Sequence, residues 1–409
     1  MTDIVRETAT LEAYEQYDSR FRQAMADAPR LRPWIPADRE RIIAVVRSSL
    51  SIRDEYIPAI RARSVRTLPQ RGFRIEFLQA ESWPGVQAAA HLYVPEGGGR
   101  RPFVLLCCGH GADCKLNPGY QAMARRLARQ GAVVLVPDNI GQGERAPMGH
   151  RDSVTPFAYG LSIQGLIVME TIAWLRWAMA DARVDAGRMA AIGNSGGGTL
   201  TLFLGALCPE LSALSSSGYP SSFEFIARKE KKHCHCNLLP GIVGQIEMWQ
   251  ALGLFAPRPL YLFQGTEDSL FPEDLFYAMA RRVATVYRLA GAADRLRFET
   301  FAGPHPWNTA KRYALGMFLS DALGIGPAEE LSCDTDDCLP ASHTCYERWP
   351  GDAYTLEELS RALTGADPAP GLALWDVYPP LPGTDAYSHE GLRGDNRQVF
   401  AQYEAFLRR

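Results

Sequence analysis

The chain reads as α/β: a mostly parallel central sheet with helices on both faces, a helical extension before it and an irregular extension after it. Three observations predict this. Strand-like and helix-like segments alternate from about residue 71 to 325. The strand-like runs, such as Phe103-Val-Leu-Leu-Cys-Cys108 and Ala132-Val-Val-Leu-Val-Pro137, are almost continuously apolar, as strands covered on both faces are. One such run, Met189-Ala-Ala-Ile, ends in Gly193-Asn-Ser195-Gly-Gly197, the pattern of a strand bending sharply into a helix with serine at the apex.

Taken in order, residues from about Thr10 to Arg63 show helical periodicity without strand-like alternation. One helix carries Leu11, Tyr14, Tyr17, Phe21 and Met25, and a second runs from Ala37 through Ile42, Val46 and Leu50 after the break at Pro33 and Pro36. Residues 1–70 are therefore expected to form a helical cap, and 71–325 the catalytic domain. From Gly72 the texture changes. Phe73–Leu78 and Val86–Val94 alternate and suggest an antiparallel pair. Then come the strand at Phe103, a helix near Tyr120–Gln130, the strand at Ala132, a helix over Leu161–Ala180 and the strand before Ser195. Strands at Ser212–Ser216, Pro259–Phe263 and Leu296–Phe301 follow. Residues 326–409 are richer in Pro, Gly and Asp. They hold one clear helix, opened by the capping box Thr355-Leu-Glu-Glu358 and stopped at Gly365, and end in a short helix near Asn396–Leu407.

Composition narrows the function classes. The 409 residues carry 43 basic and 46 acidic side chains, a net charge of −3 that is too small to steer the chain onto nucleic acid. Arg228-Lys-Glu-Lys-Lys232 reads as a solvated loop. Leu161–Ala180 is the most apolar stretch, but Gln164, Glu170 and Arg176 interrupt it, so no membrane span is expected. The polar N-terminus and an odd nine cysteines point to reduced thiols in a cytoplasm.

A serine hydroxyl needs a base to take its proton, and the base needs an orienting acid. Ser195 is the expected nucleophile. Asp268 stands in the loop leaving the strand at Pro259, with Glu267 as the fallback acid; a plain Asx-turn is its structural alternative. Of eight histidines, His305 alone occupies the exit loop of the last strand and is the expected base. Gly196 N–H, at a helix start, and Ala112 N–H, in the loop after Cys108, are the expected oxyanion donors. His110 reads as shaping that loop and touching substrate, and Tyr219 and Trp307 as lining the pocket. His233-Cys-His-Cys236 reads as a pocket loop rather than a metal site, and Cys333, Cys338, His343 and Cys345 lack tight zinc spacing. No metal and no cofactor are expected.

Asp185-Ala-Gly-Arg188 followed by Met189-Ala-Ala-Ile-Gly-Asn-Ser-Gly-Gly-Gly-Thr resembles α/β-hydrolases of the acetyl xylan esterase and dienelactone hydrolase-like branch. So do Asp138-Asn-Ile-Gly-Gln-Gly-Glu144 and Cys234-His-Cys-Asn-Leu-Leu-Pro-Gly241; the likeness covers about residues 70–322. It implies a metal-independent serine hydrolase in which Ser195 attacks, His305 is the base and Asp268 orients it. The expected activity is hydrolysis of a carboxylic ester, releasing acetyl or another small acyl group from a sugar or small metabolite. A lactone or carbon–carbon bond hydrolase with the same residues is the alternative, and an inactive scaffold the second. The extended C-terminal part and the expected cytoplasmic setting depart from secreted polysaccharide deacetylases.

Overall fold

The computed structural model describes residues 36–150, 155–228, 234–237, 239–242, 245–327 and 337–369. The helix expected at Leu11–Met25, the basic run after Arg228 and the helix near Asn396–Leu407 lie outside them. In chain order the elements are α1 (Pro36–Ser49), β1 (Arg61–Gln70), β2 (Phe73–Glu81), β3 (Gln87–Pro95), β4 (Arg101–Cys107), α2 (Pro118–Arg129), β5 (Val133–Pro137), α3 (Thr155–Ala158), α4 (Ile163–Ala180) and β6 (Val184–Asn194). There follow α5 (Gly196–Leu207), β7 (Ala213–Ser217), α6 (Phe223–Arg228), α7 (Met248–Gly253), β8 (Leu260–Gly265), α8 (Glu273–Leu289), β9 (Leu296–Phe301), α9 (Thr309–Leu323) and α10 (Leu356–Thr364).

The nine strands form one sheet in the order β1-β2-β3-β5-β4-β6-β7-β8-β9. The first three and β5 pair antiparallel; from β5 through β4 to β9 every pair is parallel. Alternation along β4 sorts the core. Val104 and Leu106 face α2 and α9, packing in one cluster with Met123, Leu127, Leu315 and Leu319. Leu105 belongs to the opposite cluster with Leu166 of α4, Leu202 of α5 and Val283 of α8, to which α1 adds Ile42 and Val46 and the turn after it Leu50. Strand order reverses beside β4, so the loops leaving β4 and β6 flank the crevice in which such sheets bind ligands.

β1 departs from expectation. It forms a strand inside the segment read as purely helical, and the expected boundary at 70/71 falls in the tight turn joining β1 to β2. Its sequence, Arg61-Ala-Arg-Ser-Val-Arg-Thr-Leu-Pro-Gln70, lies at the sheet edge with most side chains exposed, so no apolar alternation marks it. Charged edges of this kind also discourage strand addition by another chain.

The C-terminal extension is tied to the sheet. Glu144, in the loop after β5, accepts hydrogen bonds from the backbone N–H groups of Cys345 (2.7 Å) and Tyr346 (2.8 Å). Tyr346 Oη reaches the carbonyls of Ala80 and Ala88. α10 has the expected cap, with Thr355 and Glu358 bonded reciprocally and Gly365 left-handed at its end, and it packs on α3.

Two buried lysines hold loops at the carboxyl edge of the sheet. Lys115 lies 2.5 Å from Asp138 Oδ2 and also bonds Glu144; all three side chains are buried. Burial, the largest single influence, would drive the Lys115 amine toward neutrality, but the charges of Asp138, Cys345 and Glu144 with the Asp138 hydrogen bond together outweigh it and hold the amine above its ordinary value. Lys311, in the first turn of α9, donates to the carbonyls of Pro304 and Pro306 (3.0 Å to the latter). Burial lowers its amine to about 8, partly opposed by the Asp268 charge.

Lys115→Met leaves two buried carboxylates facing each other, so unfolding free energy should fall by about 3–5 kcal/mol in urea titrations. A loss within error would show that the triad adds nothing net. Lys311 runs the other way with pH. Its folded pKa lies below the unfolded one, so the unfolded chain binds the extra proton and stability climbs as pH rises between about 8 and 10.5. Relative to Lys311→Met, the wild-type chain should gain roughly 3 kcal/mol across that window. Parallel pH profiles of the two proteins would contradict it.

Candidate active site

The site begins with backbone geometry. Ser195 sits between β6 and α5 at φ 60° and ψ −122°, a conformation that costs a non-glycine residue about 1–3 kcal/mol. The bend brings the end of β6 back upon the start of α5. A Cβ on Gly193 would lie 2.3 Å from the carbonyl oxygen of Gly197, and one on Gly197 would lie 2.0 Å from that of Cys107. Neither position admits a side chain. Ser195 N–H donates to Ser217 O at 3.0 Å, fixing the apex to β7.

Asp268 and His305 meet in the loops leaving β8 and β9. His305 Nδ1 is 2.7 Å from Asp268 Oδ2. The Asx-turn also forms: Asp268 Oδ1 accepts from the N–H groups of Leu270 (2.9 Å) and Phe271 (3.1 Å), leaving Oδ2 for the imidazole. Glu267 is exposed. With Nδ1–H donated to the carboxylate, Nε2 carries the lone pair, and that atom is buried without a hydrogen-bond partner among the described residues. The ring stacks on Phe271 at 5.8 Å. Asn194, immediately before the serine, donates from Nδ2 to His305 O at 3.4 Å. Gly218 fills the space between the two, since a Cβ there would lie 2.5 Å from Asn194 Oδ1 and 2.9 Å from His305 Cε1. The histidine loop is thus anchored to the residue that precedes the bend.

A cavity of about 500 Å³ opens over Ser195 and Gly196. Its wall includes Thr199, Tyr219, Leu270 and Phe271, and the loop His110-Gly-Ala112 borders it. No Asp, Glu, Lys or Arg lines it among the described residues. Tyr219 packs edge-on against Phe271. The His110 ring lies over Gly196, where a Cβ would come within 2.6 Å of His110 Nδ1. Gly111 N–H is donated to Gln142 Oε1 (3.3 Å) and Asn139 Nδ2 donates to Cys108 O (2.9 Å), so the loops after β4 and β5 hold each other.

Trp307 does not line this cavity. It is buried in the core, its indole N–H donated to Ser217 Oγ at 2.8 Å and its ring edge-on to Tyr120. A large ring with one donor settles where that donor finds a partner, and Ser217 supplies it beneath the site. Sequence reasoning missed Asn194, Ser217, Tyr120 and Lys311, whose roles arise from contacts between distant segments. It also missed a convergence: His110, His150, Cys234 and Cys236 stand together at the cavity wall. Of the other cluster, Cys333 lies outside the described residues, while Cys338 and Cys345 bond the carbonyls of Pro118 and Ala90 instead of meeting.

No family model matches the chain. It is 22% identical over 216 residues to the putative hydrolase YtaP of Bacillus subtilis (strain 168), covering 52% of this chain and 71% of that protein. Among solved structures it is similar to the methylesterase BT1017, with TM-score 0.66, 18% identity and coverage of 95% of this chain and 81% of that one. It is also similar to a glucuronoyl esterase from Solibacter usitatus, with TM-score 0.55, 14% identity and coverage of 69% and 91%. A putative acetyl xylan esterase from Bacteroides fragilis NCTC 9343 follows, with TM-score 0.53, 16% identity and coverage of 73% and 85%. Among the described residues no helix is long and apolar enough to cross a membrane. The strand order, the sharp bend at Ser195 and these likenesses give the same answer: the chain has the α/β-hydrolase fold.

Proposed function

We propose that the protein hydrolyses carboxylic esters, taking acetyl or another small acyl group from a sugar or small metabolite through an acyl-enzyme. The observation that carries this reading is the His305–Asp268 pair in the exit loops of β8 and β9, with its Nε2 buried and without a hydrogen-bond partner among the described residues, on the same sheet edge as a serine held at positive φ at the end of β6. His305 Nε2 takes the Ser195 proton as the hydroxyl attacks the ester carbonyl, and the proton passes to the departing alcohol. His305 then takes a proton from water, which attacks the acyl-enzyme and releases the acid. Gly196 N–H and an N–H of the His110–Ala112 loop receive the charge that develops on the carbonyl oxygen. Catalytic hydrogen bonds often tighten only when substrate is bound, and the open Nε2 fits that behaviour.

The cavity wall supports an uncharged substrate portion. With no Asp, Glu, Lys or Arg lining it among the described residues, a free carboxylate or ammonium would meet no opposite charge from them, and its desolvation costs several kcal/mol. Similarity to methyl and glucuronoyl esterases supports a second reading, a uronic acid whose carboxyl is neutral because it is esterified. A setting in which the eight described free cysteines remain thiols, such as a cytoplasm, belongs to the proposal.

Ser195→Ala should lower kcat on p-nitrophenyl acetate by at least about 10³-fold, and Asp268→Asn by roughly 10³–10⁴-fold. A fluorophosphonate probe should label the wild-type chain at Ser195. Turnover retained by the alanine variant would exclude the mechanism, and absence of labelling would favour an inactive scaffold. In a series of acyl esters, kcat/KM should fall as the acyl chain lengthens; acetylated sugars assayed against methyl uronates separate the two substrate readings.

A further inference from the structure

The segment containing Cys234 and Cys236 does not act alone. The fold carries it to His110, in the loop after β4, and to His150, beyond the loop after β5, and one donor atom from each residue lies within 4.8 Å of every other. His110 Nε2 is 3.2 Å from His150 Nε2 and 3.1 Å from Cys236 Sγ. A tetrahedral ion bound at roughly 2.0–2.3 Å needs donors about 3.3–3.8 Å apart. Those two pairs stand close to that spacing, and the remaining pairs lie within 4.8 Å, a gap that small side-chain shifts close.

The donors are also prepared chemically. His150 Nδ1 is 2.8 Å from Ile140 O, so it carries the proton and Nε2 presents its lone pair to the cluster. A carbonyl behind the imidazole is the usual support for a metal-binding histidine. Two thiolates and two neutral imidazoles balance a divalent charge, so the filled site adds no net charge to a largely buried place.

We propose that His110, His150, Cys234 and Cys236 bind one zinc ion in a closed four-ligand site that forms part of the cavity wall. The sulfur and imidazole set suits zinc over harder cations, and the cysteines bind as thiolates, their protons going to solvent. With four protein ligands there is no open position for substrate or water, so the ion acts by placement. It pins the loop after β4, whose His110 ring rests on Gly196, to the segment at Cys234–Asn237. The inference stands apart from the ester-hydrolase reading because metal binding is measured without turnover.

Full-length protein purified under reducing conditions should carry about one zinc per chain by plasma mass spectrometry. Ser195→Ala should keep it, and the double variant Cys234→Ser/Cys236→Ser should hold less than about a tenth as much. Since the double variant can lose its fold, a second measurement uses the wild-type chain alone. Produced with cobalt in the medium, it should show thiolate-to-Co²⁺ charge transfer and the intense visible bands of a tetrahedral site. Wild-type protein without zinc and without those bands would overturn the proposal, as would a folded double variant that retains the metal in full.

Discussion

Everything at this site depends on a steric fact about the backbone at Ser195. A strand can hand its terminal side chain to solvent only by bending hard, and the bend presses β6, α5 and β4 together until carbonyl oxygens occupy the places where Cβ atoms would stand on Gly193 and Gly197. The conformation at Ser195 is costly, and it persists because its surroundings over-determine it: the Ser195 amide is held by Ser217, and Thr199 N–H caps the Ser195 carbonyl at 2.9 Å. Register reinforces this, with Gly193 paired to Cys107 on one side and Ser216 on the other. A serine held by three strands has little freedom to relax, which is what the proposed attack on an ester requires.

The partner loops are fixed by polar contacts rather than by packing alone. The histidine loop is clamped from below by Lys311 and from the side by Asn194, and the loops after β4 and β5 are cross-linked through Gln142 and Asn139. Lys115 draws the Asp138–Glu144 loop inward, and Glu144 passes the constraint to the backbone at Cys345 and Tyr346. The segment after residue 337, for which the sequence suggested no role, therefore braces a loop at the site's edge. Buried ions are weak evidence of net stability, but removing one partner is expensive, so such a triad makes loop position all-or-none.

The fold and the positions of Ser195, Asp268 and His305 at strand ends were legible because they depend on short-range patterns. Apolar runs reveal strands buried on both faces, and a glycine two residues either side of a serine reveals the bend. Asp268 and His305 were found by counting strand exits, with no knowledge of their contact. β1 was invisible because an exposed edge strand rich in arginine carries no apolar period. Trp307 was misplaced for a related reason: nearness to His305 in sequence said nothing about Ser217, ninety residues away, which takes its N–H. Reading His233-Cys-His-Cys236 as a self-contained unit hid its partners, since Cys236 meets a histidine 126 positions earlier.

The same convergence explains why two histidines near one serine have different work. His110 rests on Gly196, the residue after Ser195, so proximity alone would nominate it as a base. Its Nε2, however, is committed to His150 and Cys236. His305 has the opposite disposition: Nδ1 is engaged by a buried carboxylate, and among the described residues Nε2 has no hydrogen-bond partner. A base must have a lone pair to give, and a ligand must have one to surrender permanently. The neighbours of each ring decide which it does. Placing His110 among sulfur and imidazole donors takes its Nε2 out of proton transfer and turns the ring into a fixed wall, which in the proposed mechanism leaves the base role to His305.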